Sequence, residues 1–271
     1  MLLFPNAKIN IGLNITGKRS DGFHNLKSLL FPIGFSDILE VNISGEKHGY
    51  NFTQTGIKLD IPEEDNLCIR ALNLLLEYYD LPGINIHLHK IIPTGSGLGG
   101  GSSDSVSVMK ALDKLFSIGI SDEKMHEYSS RLGSDCPFFV NNQPAIIKGR
   151  GDVQESIDLS LSGYFLLLIV PDISVNTAYA YSLIKPCDLG VSLKEKIKQS
   201  VIDWKANIIN DFELELFKVF PGIGEIKDEL YDMGAVYASM SGSGSSVYGI
   251  FENKVVPREK FKKCLVYSQD L

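Results

Sequence analysis

The sequence contains little cysteine and no paired cysteine motif. Its four cysteines, Cys68, Cys136, Cys187 and Cys264, lie far apart among 271 residues and form no CxxC pair. Disulfide frameworks are typical of short, cysteine-dense secreted chains, and structural zinc sites use closely spaced cysteine pairs, so this count and spacing favour neither. We therefore predict reduced thiols and a cytoplasmic location.

Long hydrophobic runs are also absent from the sequence. The longest strongly apolar run, residues 164–170, is far shorter than the roughly 20 residues that cross a bilayer. The first residues carry no basic segment, and Pro5, Asn6 and Lys8 interrupt any apolar core of a signal peptide. We expect neither a membrane span nor a secretion signal.

The sequence has fewer basic than acidic residues. The chain has 26 Lys and Arg against 33 Asp and Glu, which gives a net charge of −7. A chain of this charge has no general attraction for nucleic acid or anionic lipid. We therefore expect neither nucleic acid nor a membrane as partner. Separately from the charge, we expect a small-molecule partner and a monomer or weak homodimer. Any phosphate that the chain binds must be held by local features.

The composition is that of an ordinary globular protein, with 44% hydrophobic and 22% charged residues, and the length suits about two domains. Strand-like and helix-like segments are mixed, and several strands are neighbours in sequence. This order favours the α+β class over a regular βαβ repeat. Turn residues at 149–152 suggest a boundary, so we predict domains at 1–150 and 151–271.

Hydrophobic periodicity predicts the individual elements. Residues 7–15 alternate and predict a half-buried strand that has Lys8 and Asn10 on one face. The other predicted strands are 26–32, 37–43, 84–90, 138–140, 145–148, 164–170 and 247–251. The predicted helices are 67–79, a helix after residue 104, 121–132, 177–184, 193–201, 210–219 and 222–233.

A loop rich in glycine and serine, 95-GSGLGGGSSD-104, lies between a predicted strand and a predicted helix. Glycine lets the backbone close around a ligand, and the bare N–H groups at a helix start attract anions. The loop therefore predicts a phosphate-binding segment, and the alternative is a structural turn. A second such loop, 239-SMSGSGSS-246, precedes the last predicted strand.

Two other nucleotide-binding motifs fit the sequence poorly. Gly95, Gly97 and Gly100 match GxGxxG, but no acidic strand end follows about 20 residues later, as dinucleotide binding requires. Residues 12–19 resemble a Walker A loop, but Arg19 stands where Ser or Thr should hold Mg²⁺. The sequence therefore favours neither an NAD-dependent enzyme nor a P-loop protein.

Several single residues could carry chemistry. Asp135 lies at a predicted helix-to-strand junction and is either a fixed carboxylate or an ordinary turn residue. If Lys8 approaches Asp135, it keeps the carboxylate ionised and ready to accept a hydroxyl proton. His87 and His89 share a strand face, but no third ligand has suitable spacing, so we predict no metal site. His24 follows a turn and is either a turn residue or part of a site.

Three separated motifs together resemble those of the GHMP kinases. They are 6-NAKINIGLNITGKRSDGFHNL-26, 93-PTGSGLGGGSSD-104 and 239-SMSGSGSS-246, with 65-DNL-67 and 132-LGSDCPFF-139 between them in the family's order. The DGFH segment resembles the branch that phosphorylates a cytidine-diphosphate-linked alcohol. Homoserine, mevalonate and galactose kinases share the glycine loop but not that segment.

The resemblance implies an α+β fold of two domains with the active site in the cleft between them. It implies ATP as phosphoryl donor together with Mg²⁺, and the 2-hydroxyl of a cytidine-diphosphate-linked methylerythritol as acceptor. The alternative within the family is another small alcohol such as homoserine or mevalonate. The resemblance assigns no acidic ligand to Mg²⁺, which leaves either Ser102 or Ser103, or only ATP and water.

The resemblance also implies roles for individual residues. Asp135 matches the catalytic carboxylate, and Lys8 matches its partner lysine. The implied ATP-binding residues are Pro93, Gly95, Gly97, Leu98, Gly99, Gly100, Gly101, Ser102, Ser103, Asn66, Leu67 and Lys90. The implied substrate-binding residues are Asn10, Phe23, His24, Thr177 and Tyr181, of which Phe23 and Tyr181 would stack on the cytosine.

Overall fold

The computed structural model describes residues 1–184, 186 and 192–271. The cysteine predicted to be reduced at position 187 lies outside these residues. Cys68, Cys136 and Cys264 are free thiols.

The described residues form three four-stranded sheets with helices around them, which confirms the predicted α+β class. The strands are β1 (Leu2–Leu3), β2 (Asn6–Lys18), β3 (His24–Ser36), β4 (Ile38–Ile43), β5 (Tyr50–Gly56), β6 (Ile84–Lys90), β7 (Ala145–Gly149), β8 (Val153–Ser156), β9 (Phe165–Val170), β10 (Tyr237–Met240), β11 (Val247–Phe251) and β12 (Leu265–Asp270). The helices are α1 (Leu67–Leu76), α2 (Gly100–Phe116), α3 (Asp122–Leu132), α4 (Cys136–Asn141), α5 (Thr177–Leu183), α6 (Leu193–Ile197), α7 (Val201–Asn207), α8 (Glu213–Val219) and α9 (Pro221–Asp232).

By its contacts the chain divides into two compact units. Unit 1 comprises residues 1–7, 34–94 and 99–143, and unit 2 comprises residues 8–33, 95–98 and 144–271. The chain passes from one unit to the other several times, so these units are not two consecutive segments. The predicted domains 1–150 and 151–271 stay a prediction.

Unit 1 is built on the sheet β1-β4-β6-β5. Strand β5 runs parallel to β6, and the other neighbours are antiparallel. Helix α2 packs on α1 and on β4. Asn66 begins α1 because its Oδ1 accepts a hydrogen bond from the Cys68 N–H at 2.9 Å, the role that Asn commonly has at a helix start.

Unit 2 contains the sheets β2-β3-β7-β8 and β10-β11-β9-β12. Strand β9 lies between β11 and β12, and all of its residues are buried. Burial on both faces explains why this segment reads as an uninterrupted apolar run in the sequence. Helix α9 packs on β10 and β11.

Three sequence predictions of local structure are wrong. Residues 138–140 belong to α4, not to a strand, because Pro137 in its first turn has a φ suited to a helix start. The helix predicted over 193–201 is two short helices, α6 and α7. Strand β2 is buried on both faces, not on one, and Lys8 and Asn10 are each only 3% exposed.

A buried cluster of three charges lies in unit 1. The Lys90 ammonium forms ion pairs with the carboxylates of Asp37 and Asp104, and all three side chains are buried. Asp37 Oδ1 also accepts a hydrogen bond from the Ile92 N–H at 2.8 Å. Asp104 Oδ1 has no hydrogen-bond partner. Burial raises the pKa of Asp104 to about 7, against the opposing effect of the Lys90 ammonium.

The raised pKa of Asp104 predicts how stability depends on pH. The folded state takes up a proton on Asp104 below about pH 7, whereas an ordinary Asp in the unfolded chain does so only below about pH 4. The unfolding free energy contributed by this group is therefore greatest below pH 4 and falls as pH rises from about 4 to 7, by up to about 1.4 kcal/mol per pH unit.

We expect the Asp104→Asn variant to lose this part of the pH dependence, because the amide stays neutral throughout. The measurement is urea unfolding of both proteins by circular dichroism at several values between pH 4.5 and 8. Equal slopes of unfolding free energy against pH in the two proteins contradict the assignment.

Candidate active site

A cluster of polar side chains surrounds Lys8 in unit 2. Residues i and i+2 of a strand share a face, so β2 presents Lys8 and Asn10 on the same side. Lys8 Nζ donates hydrogen bonds to Asn10 Oδ1 at 2.6 Å and to the Gly97 carbonyl at 3.0 Å. The structure thus brings together three residues that were predicted to belong to the site.

The side chain of Asn10 is held in one orientation. Its Nδ2 donates to Ser28 Oγ at 2.8 Å, and Ser28 Oγ donates to the Gly12 carbonyl at 2.6 Å. The backbone carbonyl of Asn10 accepts a hydrogen bond from Tyr248 Oη at 2.8 Å. Because Asn10 Nδ2 is bound to Ser28, Asn10 Oδ1 points to the Lys8 ammonium.

The first glycine loop, residues 95–104, enters this cluster through Gly97. Gly97 has φ of +79°, and a Cβ at this position would lie 2.0 Å from the carbonyl oxygen of Ser241. Ser241 belongs to the C-terminal glycine loop, residues 239–246, and its Oγ donates to the Gly97 carbonyl at 2.8 Å. The N–H of Ser246 donates to the Ser96 carbonyl at 3.2 Å. Only glycine fits at position 97, because the two loops touch through their backbones.

The rest of the first glycine loop begins α2 in unit 1. Gly99, with φ of +72°, precedes the helix, and no side chain caps its first turn. Such a helix start offers unsatisfied N–H groups and a positive dipole end to an anion. A Cβ on Gly100 would lie 2.8 Å from Ile92 Cγ2, so this position is closely packed. Ser102 and Ser103 lie in the first turn, with Ser103 buried.

Four further residues that were predicted to bind ATP lie in unit 1. Asn66 caps α1, and the Lys90 ammonium is engaged by two carboxylates. Leu67 lies beside Gly101, since a Cβ on that glycine would be 3.4 Å from Leu67 Cδ1. Pro93 is partly exposed just before the loop. Their roles beside a nucleotide base stay predictions.

Asp135 directly precedes α4 and is partly exposed. Its backbone is helical, and its carboxylate does not cap the helix. The neighbouring Cys136 is buried, with its Sγ 3.6 Å from Ser105 Oγ, and burial raises the pKa of its thiol. Asp135 is therefore held by a rigid helix start while its carboxylate is not used to cap that helix.

Aromatic side chains cluster in unit 2 near the start of β3. The rings of His24 and Tyr181 are stacked, with centroids 5.0 Å apart and planes 20° apart. Phe212 meets the Tyr181 ring edge-on at 5.0 Å. Thr177, on the same helix as Tyr181, shares a hydrogen bond of 3.2 Å with Ser243 of the C-terminal glycine loop.

Phe23 lies outside this cluster of rings. It is 55% exposed, and the Arg150 guanidinium lies over its ring, 4.7 Å from the centroid. The predicted stacking of cytosine between Phe23 and Tyr181 stays a prediction. His24 and Tyr181, in contrast, are directly in contact.

Sequence reasoning missed the residues that hold the C-terminal glycine loop. Asn210 is buried and binds two carbonyl groups of that loop, and Glu213 accepts a hydrogen bond from the Met240 N–H at 2.8 Å. The available signal was a pair of polar residues, Asn210 and Asp211, at the start of a predicted helix. Short polar side chains at such a position often bind backbone groups.

Neither a protein-built metal site nor a membrane span is found in the described part of the chain. No three His, Cys, Asp or Glu side chains there are placed to hold a metal ion, and no helix is long and apolar enough to cross a bilayer. His87 and His89 both contact Thr55 Oγ1, at 2.9 Å each. A groove of about 1230 Å³ in unit 2 is lined by none of the predicted site residues.

Two family models match separate parts of the chain. The model of the GHMP kinases N terminal domain matches residues 66–145, and the model of the GHMP kinases C terminal matches residues 193–263. The first match includes the first glycine loop and Asp135. The second includes the C-terminal glycine loop.

Curated relatives match over the whole length. The chain is 45% identical to the 4-diphosphocytidyl-2-C-methyl-D-erythritol kinase of Parabacteroides distasonis, over 100% of both chains. It is 47% identical to the enzyme of the same name from Bacteroides fragilis, over 97% of this chain and 95% of the relative.

Solved structures show the same fold. A crystal structure of 4-(cytidine 5'-diphospho)-2C-methyl-D-erythritol kinase matches with a TM-score of 0.80 and 29% identity, over 92% of this chain and 90% of that one. A homoserine kinase from Cytophaga hutchinsonii matches with a TM-score of 0.65 over 97% and 94% of the two chains. At 17% identity, the second match shows the fold alone.

The contact between the two glycine loops predicts a difference between two neighbouring glycines. Gly95 and Gly97 both have positive φ, but a Cβ on Gly95 meets nothing within 4 Å. Gly95→Ala should therefore lose only the roughly 1–2 kcal/mol of a left-handed alanine, whereas Gly97→Ala must also push the loops apart.

We expect a clearly larger fall in melting temperature and a weaker affinity for ATP in Gly97→Ala than in Gly95→Ala. The measurements are thermal unfolding and calorimetric titration with ATP. Equal effects of the two substitutions contradict the observed packing.

Proposed function

The chain belongs to the GHMP kinase family, and on this basis we propose that it is an ATP-dependent kinase that phosphorylates the 2-hydroxyl of 4-diphosphocytidyl-2-C-methyl-D-erythritol. The observation that carries the proposal is the 45–47% identity, over essentially the full length, to two kinases of that name. This reaction would place the chain in non-mevalonate isoprenoid precursor biosynthesis. A cytoplasmic location and a monomeric or weakly dimeric state belong to the same proposal.

We propose that the donor phosphates lie at the first glycine loop and the start of α2. Phosphoryl transfer needs positioning and charge neutralisation more than covalent chemistry by the protein. The backbone N–H groups of Gly99 to Ser102 would position the phosphates, and the dipole of the 17-residue helix would offset their charge, whereas the Ser103 N–H donates to the Gly99 carbonyl. The predicted residues Gly95, Gly97 and Leu98 would complete the loop around the phosphates.

Among the described residues, no three His, Cys, Asp or Glu side chains are placed to hold a metal ion. This fits Mg²⁺ that is held mainly by ATP, because Mg²⁺ often keeps its waters and binds through substrate phosphates. The protein contribution would be a serine hydroxyl, Ser102 or Ser103, in the first turn of α2. When bound, Mg²⁺ neutralises charge on the phosphates of ATP.

We propose that Asp135 accepts the proton of the acceptor hydroxyl. The acceptor oxygen then forms a bond to the γ-phosphorus, the bond between that phosphorus and the β–γ bridging oxygen breaks, and ADP leaves. The Lys8 ammonium, held by Asn10 and Gly97, would offset the negative charge at the reacting oxygen.

We propose that the cytidine end of the acceptor binds at the aromatic residues of unit 2. A neutral base is well held by aromatic faces, and stacking contributes roughly 1–3 kcal/mol per base. Phe23 offers an exposed ring and Tyr181 an aromatic face, while His24 offers ring nitrogens to the edge of the base. Asn10 and Thr177 would contact the rest of the acceptor. No observation favours homoserine or mevalonate in its place.

The role of Asp135 predicts a specific loss in turnover. Asp135→Asn keeps the shape but cannot accept a proton, so kcat should fall about 10²-fold or more. The fold should be unaffected because the carboxylate does not cap α4. The measurements are steady-state kinetics and a circular dichroism melt, with the exposed Asp122→Asn as matched control. Near-normal turnover of Asp135→Asn means that the residue only orients or supports.

The proposed cytidine site predicts a selective effect on one substrate. His24→Ala and Tyr181→Ala should raise KM for the cytidine substrate about 10-fold or more and leave KM for ATP within about 2-fold, since stacking acts only on the base. The control is Tyr179→Ala, an exposed tyrosine on the same helix, which should change neither value. Equal effects on both substrates would show that the two residues do not contact the cytidine.

A further inference from the structure

Residues 210–213, the sequence Asn-Asp-Phe-Glu, comprise the end of the α7–α8 connection and the first residue of α8, and they bind other parts of unit 2. Asp211 Oδ2 accepts a hydrogen bond from the Ile15 N–H of β2 at 2.7 Å. Glu213 Oε1 accepts hydrogen bonds from the Met240 N–H and from Ser239 Oγ, at 2.8 and 3.1 Å. This 210–213 segment therefore joins β2, which carries Lys8, to the C-terminal glycine loop.

Asn210 makes the central contacts of the 210–213 segment. It is 2% exposed, and its Nδ2 donates to the carbonyls of Met240 and Gly242 at 2.9 and 2.8 Å. Its Oδ1 accepts a hydrogen bond from the Phe212 N–H at 3.0 Å. A primary amide has two donor hydrogens and an acceptor on one rigid plane, so all three bonds depend on this side chain type.

The C-terminal glycine loop depends on these external bonds. Gly242 and Gly244 have φ of +58° and +89°, conformations that glycine adopts freely but that also leave the backbone free to change. Asn210 holds the carbonyls on either side of Ser241. Within the loop, the Ser241 N–H donates to the Ser246 carbonyl and the Gly244 N–H donates to the Ser241 carbonyl, at 2.9 and 3.0 Å. The position of the Ser241 side chain is therefore set partly by Asn210, from outside the loop.

Ser241 is linked to Lys8 through hydrogen bonds to Gly97 and Asn10. Ser241 Oγ donates to the Gly97 carbonyl at 2.8 Å and accepts a hydrogen bond from the Asn10 N–H at 3.2 Å. The same Gly97 carbonyl, together with Asn10 Oδ1, accepts hydrogen bonds from Lys8 Nζ. Each link is a hydrogen bond between residues of unit 2.

We propose that Asn210 is a positioning residue for phosphoryl transfer. Asn210 fixes the backbone of the C-terminal glycine loop. That loop in turn positions the Gly97 carbonyl and Asn10, and these two groups position the Lys8 ammonium. Its effect on turnover rests on the proposed function, whereas its effect on the loop does not. Asn210 contacts the loop and not the reacting groups, so it acts on kcat through Lys8.

The first test measures the loop itself. Asn210→Asp keeps the bond to the Phe212 N–H but at pH 8 replaces the two donations with an oxygen that repels both carbonyls. Amide hydrogen exchange, followed by mass spectrometry, should become at least tenfold faster in the peptide that covers residues 237–250. Asn207→Ala, an exposed asparagine of α7, should leave exchange in that peptide unchanged. Unchanged exchange in Asn210→Asp overturns the proposal, whether or not the protein turns over any acceptor.

The second test measures catalysis in the same proteins. Asn210→Asp should lower kcat about tenfold or more, with both KM values within about threefold of the wild type. Ser241→Ala interrupts the next link, so the double variant should be no slower than the slower single variant. Independent, multiplying effects of the two substitutions, or a normal kcat beside a mobile loop, contradict the proposal. Lack of turnover in the wild type counts against the proposed function alone, and the exchange result still decides the role of Asn210.

If Asn210→Asp does not fold, as judged by the fluorescence of the single tryptophan, Trp204, the same two tests are made with Asn210→Ser. A serine keeps one donor, so exchange should be intermediate and kcat should fall less. Wild-type exchange and wild-type kcat in Asn210→Ser overturn the proposal.

Discussion

The carbonyl of Gly97 is the point on which the cluster around Lys8 depends. It accepts hydrogen bonds from Lys8 Nζ and from Ser241 Oγ, so one backbone oxygen links the first glycine loop to β2 and to the C-terminal glycine loop. The approach is close enough to exclude any Cβ at position 97. A glycine is needed at position 97 because the backbones of the two glycine loops are in contact there. The conformation that this contact allows is also the one that suits the first glycine loop to phosphate binding.

The charges of the two units are handled differently. In unit 1 the Lys90 ammonium is sealed between two buried carboxylates, and the resulting cluster supports the strand and helix on either side of the first glycine loop. In unit 2 the Lys8 ammonium is held by neutral acceptors, the Asn10 amide and the Gly97 carbonyl. The charge of Lys90 is thus matched within unit 1 by the carboxylates of Asp37 and Asp104.

Much of this arrangement could be predicted from the sequence, because glycine, helix caps and strand alternation have local causes. The alternation of β2 put Lys8 beside Asn10, and Asn66 marked the start of α1. Non-local contacts could not be predicted in this way. Three features depend on segments that are far apart in the chain. They are the burial of both faces of β2, the ion pairs of Lys90, and the hydrogen bonds of Asn210 to residues 240–242.

The proposed kinase activity is best tested by incubating the purified protein with ATP and Mg²⁺ and comparing three acceptors. These are 4-diphosphocytidyl-2-C-methyl-D-erythritol, homoserine and mevalonate, with ADP release and the mass of the phosphorylated product as readouts. We expect that only the cytidine substrate gains one phosphate, with one ADP released for each product formed. Equal or faster phosphorylation of homoserine or mevalonate, or no phosphorylation of the cytidine substrate, would contradict it.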